Sequence, residues 1–340
     1  MKAIRFHEQG GLEVLRYEDA PDPKPGTSEV LVRVRAAALN HVDLWARTAY
    51  PIAAFPHILG TDAAGEIVEL GHGVEQLHIG DRVVVYPGLT CGHCDACLAG
   101  EESACVEFGI FGVKSDGAFA ELAVVPAQNV LHLPTNVPFE VGAAFPVVYL
   151  TSWHALVTRA GLRAGETVLI HGAGSGTGTA AIQIAKLCGA KVIATSREAR
   201  KLERAKELGA DEVVNNQSAD WPDQVRAITG GRGVELALDF IGPPTFGGSL
   251  ACLAKRGRVV SFGATVGSDI AFDLRLLYSR QLSIIGSMLG NRAELALLLR
   301  LLSEGKLQPV IDRTFPLSQA RQAEELLEKG DLFGKIVLIP

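Results

Sequence analysis

The chain has 340 residues, 48% of them hydrophobic and 21% charged, with a formal net charge of −6 at pH 7. That length allows two domains with a sizeable core. An acidic balance without any Lys/Arg block argues against a grip on nucleic acid or an anionic membrane surface. No run of 18 or more apolar residues reads as a membrane span, and MKAIRFHEQG does not read as a signal segment, so a cytoplasmic location is expected.

Residues 1–147 carry strand patterns and few helical ones. MKAIRF, the alternating EVLVRVR (Glu29 to Arg35), GEIVEL (Gly65 to Leu70), DRVVVY (Asp81 to Tyr86), Ala118 to Val125 and Val130 to Leu133 are separated by turn-rich stretches such as PDPKPG and GHGVEQLHIGD. This predicts an irregular, mostly antiparallel β domain. Within it, at about 87–110, Cys91, Cys94, Cys97 and Cys105 follow the spacing C-x2-C-x2-C-x7-C in a loop-like stretch. Four thiolates so close in sequence can converge on one tetrahedral ion, the requirement of a closed structural zinc site with no open catalytic position. Iron–sulfur proteins also use four thiolates, but their usual spacings differ. His93 reads as an exposed turn residue, and Cys188 and Cys252 read as core residues. Six cysteines in a chain this long do not form a disulfide framework.

From Val148 to about Met288, strand and helix alternate: TVLIHG, KVIATS, DEVVNN, VELALDF, RVVSFG and LSIIGSM are the strands, with segments such as REARKLERAKELG between them. Six such strands predict a doubly wound parallel sheet, and the overall class is α/β. Its centre is ETVLIHGAGSGTG, Glu166 to Gly178: a buried strand, a glycine turn and a helix start, which together make an anion site suited to a dinucleotide pyrophosphate. A strict G-x-G-x-x-G is absent, because Ala173 and Ser175 hold the first two glycine places. The second strand ends at Ser196, where NAD-selective sites place a carboxylate, and Arg197 and Lys201 follow. A hydroxyl with two nearby cations suits a 2′-phosphate, so NADPH is expected over NADH. The competing reading is that Arg197, Arg200 and Lys201 only cover the solvent face of the next helix. Residues 289–340, a helix from about Asn291 to Ser303 and then a helix and strand, are expected to return to the first domain.

These parts resemble the medium-chain dehydrogenase/reductase superfamily, of zinc-type alcohol dehydrogenase-like sequence, over essentially the whole chain. The likeness is carried by GTDAAGEIVELGHGVEQLHIGDRV (Gly60 to Val83), the four cysteines, the AAIQIAK helix and the closing GKIVL. The resemblance implies a GroES-like catalytic domain, a Rossmann domain, a nicotinamide cofactor in the cleft between them, and a homodimer or homotetramer. It also implies cofactor contacts at Ser175, Gly176, Thr177 and Gly178 for the pyrophosphate, at Asn216 toward adenine, and at Phe262, Gly263 and Ser287 toward the nicotinamide, where Phe262 and Gly263 read equally as an ordinary strand end; His41 reads either as a contact to the cofactor phosphates or as a polar wall residue.

Zinc alcohol dehydrogenases of this superfamily hold a second, catalytic zinc by Cys, His and Cys. Here Asn40, Thr61 and Val147 stand at those places, with Asp62 for the neighbouring glutamate. Val42 replaces the hydroxyl that passes on the alcohol proton, and Trp45 stands where that relay would continue. The same departures mark the quinone oxidoreductase, or zeta-crystallin-like, branch, which reduces quinones and activated enones with NADPH and no catalytic metal. Retention of the cysteine lobe departs from many of its members. The expected function is therefore hydride delivery from NADPH to a quinone or activated enone or carbonyl. Asn40 would steady charge on the acceptor oxygen through its amide, Thr61 would add a hydroxyl, and Asp62 and Asp43 would hold loops. Trp45, Tyr50 and Tyr149 would line an aromatic pocket. The alternatives are a zinc-containing alcohol or aldehyde dehydrogenase and a non-catalytic, crystallin-like NADPH-binding protein. The LSIIGSM edge strand is the expected dimer contact.

Overall fold

Alternation in EVLVRVRAAA builds the first unit: along Glu29–Ala38 the valines at 30, 32 and 34 point inward and Arg33 and Arg35 outward, until the closing alanines are buried on both sides. The computed structural model describes residues 1–340 and divides into two units, 1–147 with 291–340, and 148–290. No helix is long and apolar enough to cross a membrane.

In the first unit Glu29–Ala38 is the hub of a seven-stranded sheet, ordered Val130–His132, Arg82–Val85, Asp62–Leu70, Glu29–Ala38, Lys335–Ile339 and Ile311–Pro316, with Leu122–Pro126 also paired to the hub. The register sets Ala38 opposite Asp62 on one side and opposite Val337 on the other. The C-terminal strand thus lies beside a segment almost 300 residues earlier. One apolar core, from Phe6 and Ile67 to Leu317 and Leu338, underlies this sheet. The strand expected over Ala118 to Val125 is only Leu122–Pro126, because the backbone at Gly117 to Phe119 turns away to bond Ile58, Gly60 and Leu59.

In the second unit six parallel strands, Thr167–Ile170, Lys191–Ser196, Glu212–Asn215, Val234–Leu238, Leu253–Ser261 and Ser283–Gly286, form the spatial order third, second, first, fourth, fifth, sixth. This is the doubly wound order, with its switch point between the first and fourth strands. Thr167–Ile170 is buried at all four residues, as a central parallel strand must be.

Candidate active site

Asn40 precedes the helix His41–Thr48, and Thr61 and Asp62 open the strand Asp62–Leu70. Gly60, at φ 111°, makes the turn before them; a Cβ there would sit 2.6 Å from the Phe119 ring and 2.8 Å from the Ala118 amide nitrogen. Asn40, Thr61 and Asp62 converge, and Lys335 joins them. Its buried ammonium donates to Asn40 Oδ1 at 2.6 Å, Leu39 O at 2.7 Å and Asp62 Oδ2 at 2.9 Å. Asn40 Nδ2 donates to the same Asp62 oxygen at 2.9 Å, and the Val147 amide donates to Asp62 Oδ1 at 3.0 Å. Thr61 Oγ1 donates to Asp43 Oδ1 at 2.9 Å, while Asp43 Oδ2 accepts from the Asn40 amide at 2.8 Å. Burial pushes the Asp43 carboxyl up to about 6 against these donors.

This closed network corrects two expected roles. The hydrogens of the Asn40 amide face Asp62 and, at 3.4 Å, Ala38 O, and the one Thr61 hydroxyl hydrogen faces Asp43, so neither group is left to donate to an acceptor oxygen. Asp62 holds Lys335 and two amides rather than substrate. Side chains with polar edges left over lie further along the helix: half-buried His41 and Trp45, rings 6.3 Å apart, and exposed Tyr50, 5.9 Å from Trp45. Burial, and then the nearby Lys335 charge, hold the His41 imidazole below its usual range. The buried Arg47 guanidinium anchors this helix by donating to Glu324 Oε2 at 3.0 Å, to Glu328 and to Gly10 O. Tyr149 is buried in the second unit, and its hydroxyl accepts from Gln183.

The four thiols of the cysteine lobe lie within 4.8 Å of one another, with Cys91 Sγ 3.9 Å from Cys97 Sγ and 3.6 Å from Cys105 Sγ. A tetrahedral zinc with Zn–S bonds of about 2.3 Å sets sulfurs about 3.8 Å apart, so the donor set fits that ion. Backbone N–H groups of Cys91, Cys94 and Glu107 point at these sulfurs and support thiolate charge. Cys252 is buried as expected, whereas Cys188 is only half-buried.

In the second unit Ser175 caps the helix Gly176–Leu187, its Oγ accepting from the Gly178 amide at 2.9 Å. That amide is therefore spent, and Gly178 serves packing: a Cβ there would lie 2.1 Å from Gly172 O. The Gly176 and Thr177 amides, at the first two helical positions, have no intrahelical acceptor. Ser196 is buried, and its Oγ accepts from the Glu198 amide at 3.2 Å. Lys201 lies over Gly174 and pairs with Glu198 at 2.5 Å, Arg200 is exposed 3.9 Å from the other Glu198 oxygen, and Arg197 is exposed just past Ser196. Phe262 stacks on Phe240 with ring centroids 5.1 Å apart, and Gly263 O accepts from Ser261 Oγ. Asn216 Oδ1 and Ser287 Oγ are buried with no hydrogen-bond partner. Such orphans need an explanation, and a polar ligand spanning the strand ends supplies one, so these residues fit a dinucleotide.

Two family descriptions match: an alcohol dehydrogenase GroES-like domain over residues 26–135, and a zinc-binding dehydrogenase over residues 176–304. A solved NAD-dependent alcohol dehydrogenase is 44% identical and superposes with a TM-score of 0.95, each chain covered in full. The acryloyl-coenzyme A reductase of Sulfurisphaera tokodaii is 32% identical over 343 residues, covering all of both chains. The quinone oxidoreductase of Salmonella typhimurium is 32% identical over 350 residues, covering 99% of each. The chain belongs to the medium-chain dehydrogenase/reductase family.

As a medium-chain dehydrogenase/reductase it is an oxidoreductase with a zinc-type cysteine lobe and a nicotinamide-binding fold. The catalytic zinc of the alcohol dehydrogenases is another matter. Asn40, Thr61 and Val147 supply no thiolate or imidazole, and the neighbouring carboxylate of Asp62 is paired to an ammonium, so this donor set does not fit a zinc that needs three protein ligands. Lys335 escapes sequence reasoning because a lysine before an apolar strand reads as a surface charge. The signal that could reveal it is its place at the first position of KIVLI, a strand buried at its first four residues.

Proposed function

We propose that this medium-chain dehydrogenase/reductase is an NADPH-dependent reductase of quinones or activated enones and carbonyls that works without a catalytic metal and carries one structural zinc. The observation that carries this reading is the buried Lys335–Asp62–Asn40 network at the positions where a catalytic zinc would need its ligands. A bound NADPH supplies the hydride. The chain's task is to bind and orient: the Gly176 and Thr177 amides toward the pyrophosphate, Asn216 and Ser287 with their unpartnered oxygens, and Arg197 beside Ser196 toward a 2′-phosphate. His41, Trp45 and Tyr50 offer an aromatic wall with N–H and O–H edges to a planar acceptor. We further propose a homodimer paired through the edge strand Ser283–Gly286.

One experiment separates this reading from a zinc alcohol dehydrogenase: metal analysis beside a panel of quinones, enones, aldehydes and alcohols with both coenzymes. One zinc per chain with NADPH-dependent quinone or enone turnover is expected. Two zincs per chain with alcohol oxidation would overturn it, and no turnover on any substrate would favour a non-catalytic NADPH-binding protein.

A further inference from the structure

A line of four buried polar side chains lies directly beneath the cofactor turn, and no step of the proposed reaction uses it. His171 follows the first parallel strand, Thr195 lies in its neighbour, and Asp239 follows the neighbour on the other side. The pairing of Ile170 with Ala194 and with Leu238 puts these three residues at one level across the sheet. The next level up is Gly172, Ser196 and Phe240, where the glycine turn and the ribose-facing strand end begin. His171 Nδ1 is 2.8 Å from Thr195 Oγ1, and His171 Nε2 is 2.8 Å from Ser249 Oγ on the helix Pro243–Cys252. Ser249 Oγ lies 2.6 Å from Asp239 Oδ2, and Thr245 Oγ1 donates to Asp239 Oδ1 at 2.9 Å. The edge of Trp221 closes over the imidazole at 5.1 Å.

Donor counting assigns every proton in this line. Ser249 has one hydroxyl hydrogen, and the short contact to a carboxylate claims it ahead of the 3.1 Å contact to Thr245 O. Ser249 Oγ can then only accept from His171, so Nε2 carries hydrogen. Nδ1, in an uncharged ring, accepts from the Thr195 hydroxyl. Full burial lowers the basicity of the imidazole and outweighs the opposing pull of Asp239, whose Oδ2 lies 3.7 Å from Nε2, in agreement with a single ring proton. Although Ser249, His171 and Asp239 resemble a hydrolytic triad in composition, the serine proton goes to the carboxylate and Ser249 is wholly buried, so no nucleophile is formed.

We propose that His171 is a positioning residue for the cofactor turn: protonated at Nε2 alone, it runs a directed line from Thr195 through Ser249 to Asp239 that pins the turn to three adjacent strand ends. The proposal rests on the reading of the second unit as a nicotinamide-binding domain. Replacing the imidazole with an apolar group takes the acceptor from the Thr195 hydroxyl and the donor from Ser249 Oγ, which keeps only its bond to Asp239, and frees the turn to shift under the pyrophosphate.

The test combines nitrogen NMR of 15N-histidine protein with NADPH and NADH binding titrations on the full chain. Wild type should show His171, assigned by its loss in His171→Gln, as the Nε2–H tautomer, unchanged from about pH 5.5 to 8.5. His171→Leu should weaken both coenzymes by about tenfold or more and raise KM in step, with kcat changed less than about threefold. His171→Gln, which keeps an N–H toward Ser249, should recover most of that loss. An Nδ1–H tautomer, a titrating ring, or a folded His171→Leu with wild-type affinity would overturn the proposal. Should His171→Leu fail to fold, the tautomer and the Gln variant decide it. A wild-type chain that binds neither coenzyme overturns the cofactor reading and this proposal together, whereas wild-type binding with an unaffected variant overturns this proposal alone.

Discussion

Lys335 Nζ lies 2.9 Å from Asp62 Oδ2, with the two side chains 4% and 0% exposed. The pair joins the C-terminal strand to the start of Asp62–Leu70 across the hub strand, and Asn40 bonds to both partners. Removing the ammonium strands a buried carboxylate along with two carbonyl oxygens. Lys335→Met is therefore expected to lower the unfolding free energy by about 3–5 kcal/mol. Adding Asp62→Leu should cost far less than the sum of the single losses, because the second change removes the uncompensated charge. Urea denaturation of the two single variants and the double variant checks this; strictly additive losses would show that the two groups are not coupled.

The coenzyme prediction turns on which cation is unspent. Lys201 is held by Glu198, and Arg197 has an exposed side chain just past the buried Ser196. A charge-assisted hydrogen bond to a 2′-phosphate is worth about 1.5–3 kcal/mol, so Arg197→Asp should weaken NADPH by about ten- to a hundredfold and leave NADH within about threefold. Fluorescence titration with each coenzyme measures both. Parallel losses would mean that Arg197 merely covers the helix face.

What could be read from the sequence follows from how local each signal is. Four ligands within 15 residues announce the cysteine lobe, and KVIATS or EVLVRVR betray their strands by apolar pattern alone. The helix His41–Thr48 is short, and it buries Asp43 and Arg47. Their burial makes sense only with Thr61 and Glu324 in place, 18 and 277 residues away. Lys335 is hidden for the same reason. A residue's polarity is visible in sequence, but the partner that decides whether it is a donor in waiting or already spent is not. That is why Asn40 and Thr61 read as catalytic donors and prove to be network members.

Glu324 makes a pH prediction. Burial pushes its carboxyl up to about 8; Arg47 pulls it down, and Asp43 adds to the rise. One carboxylate oxygen, Oε1, has no partner. An acid whose folded pKa exceeds its unfolded value, about 4.3, contributes stability that is complete below the unfolded value and is lost as pH rises through the folded one. Asp43, raised to about 6, acts with the same sign over a lower window. The unfolding free energy should therefore fall between pH 6 and 8.5. Glu324→Gln, which still accepts from Arg47, should remove about 2 kcal/mol of that fall. Urea midpoints at the two pH values test it, and parallel curves for variant and wild type would defeat it.

The edge of the parallel sheet carries the last prediction. Ser283–Gly286 pairs only with Leu253–Ser261, so its outer edge has no strand partner, and of its carbonyls Gly286 O accepts from Arg159 Nε at 3.1 Å. The apolar side chains nearby in sequence are unusually bare: Leu274 is 64% exposed, Tyr278 66%, Ile284 42% and Met288 43%. An open, apolar edge invites pairing, and without a charged residue inside the strand nothing in Ser283–Gly286 opposes it. Antiparallel pairing of two copies about a two-fold axis would give that edge a strand partner and cover the apolar side chains. Light scattering should give a mass about twice 36.1 kDa. Ile284→Lys places like charges close together across that axis and should shift the protein to a monomer that still binds coenzyme. A wild-type protein that scatters with the mass of one chain would refute the pairing, and an Ile284→Lys dimer would place the contact elsewhere.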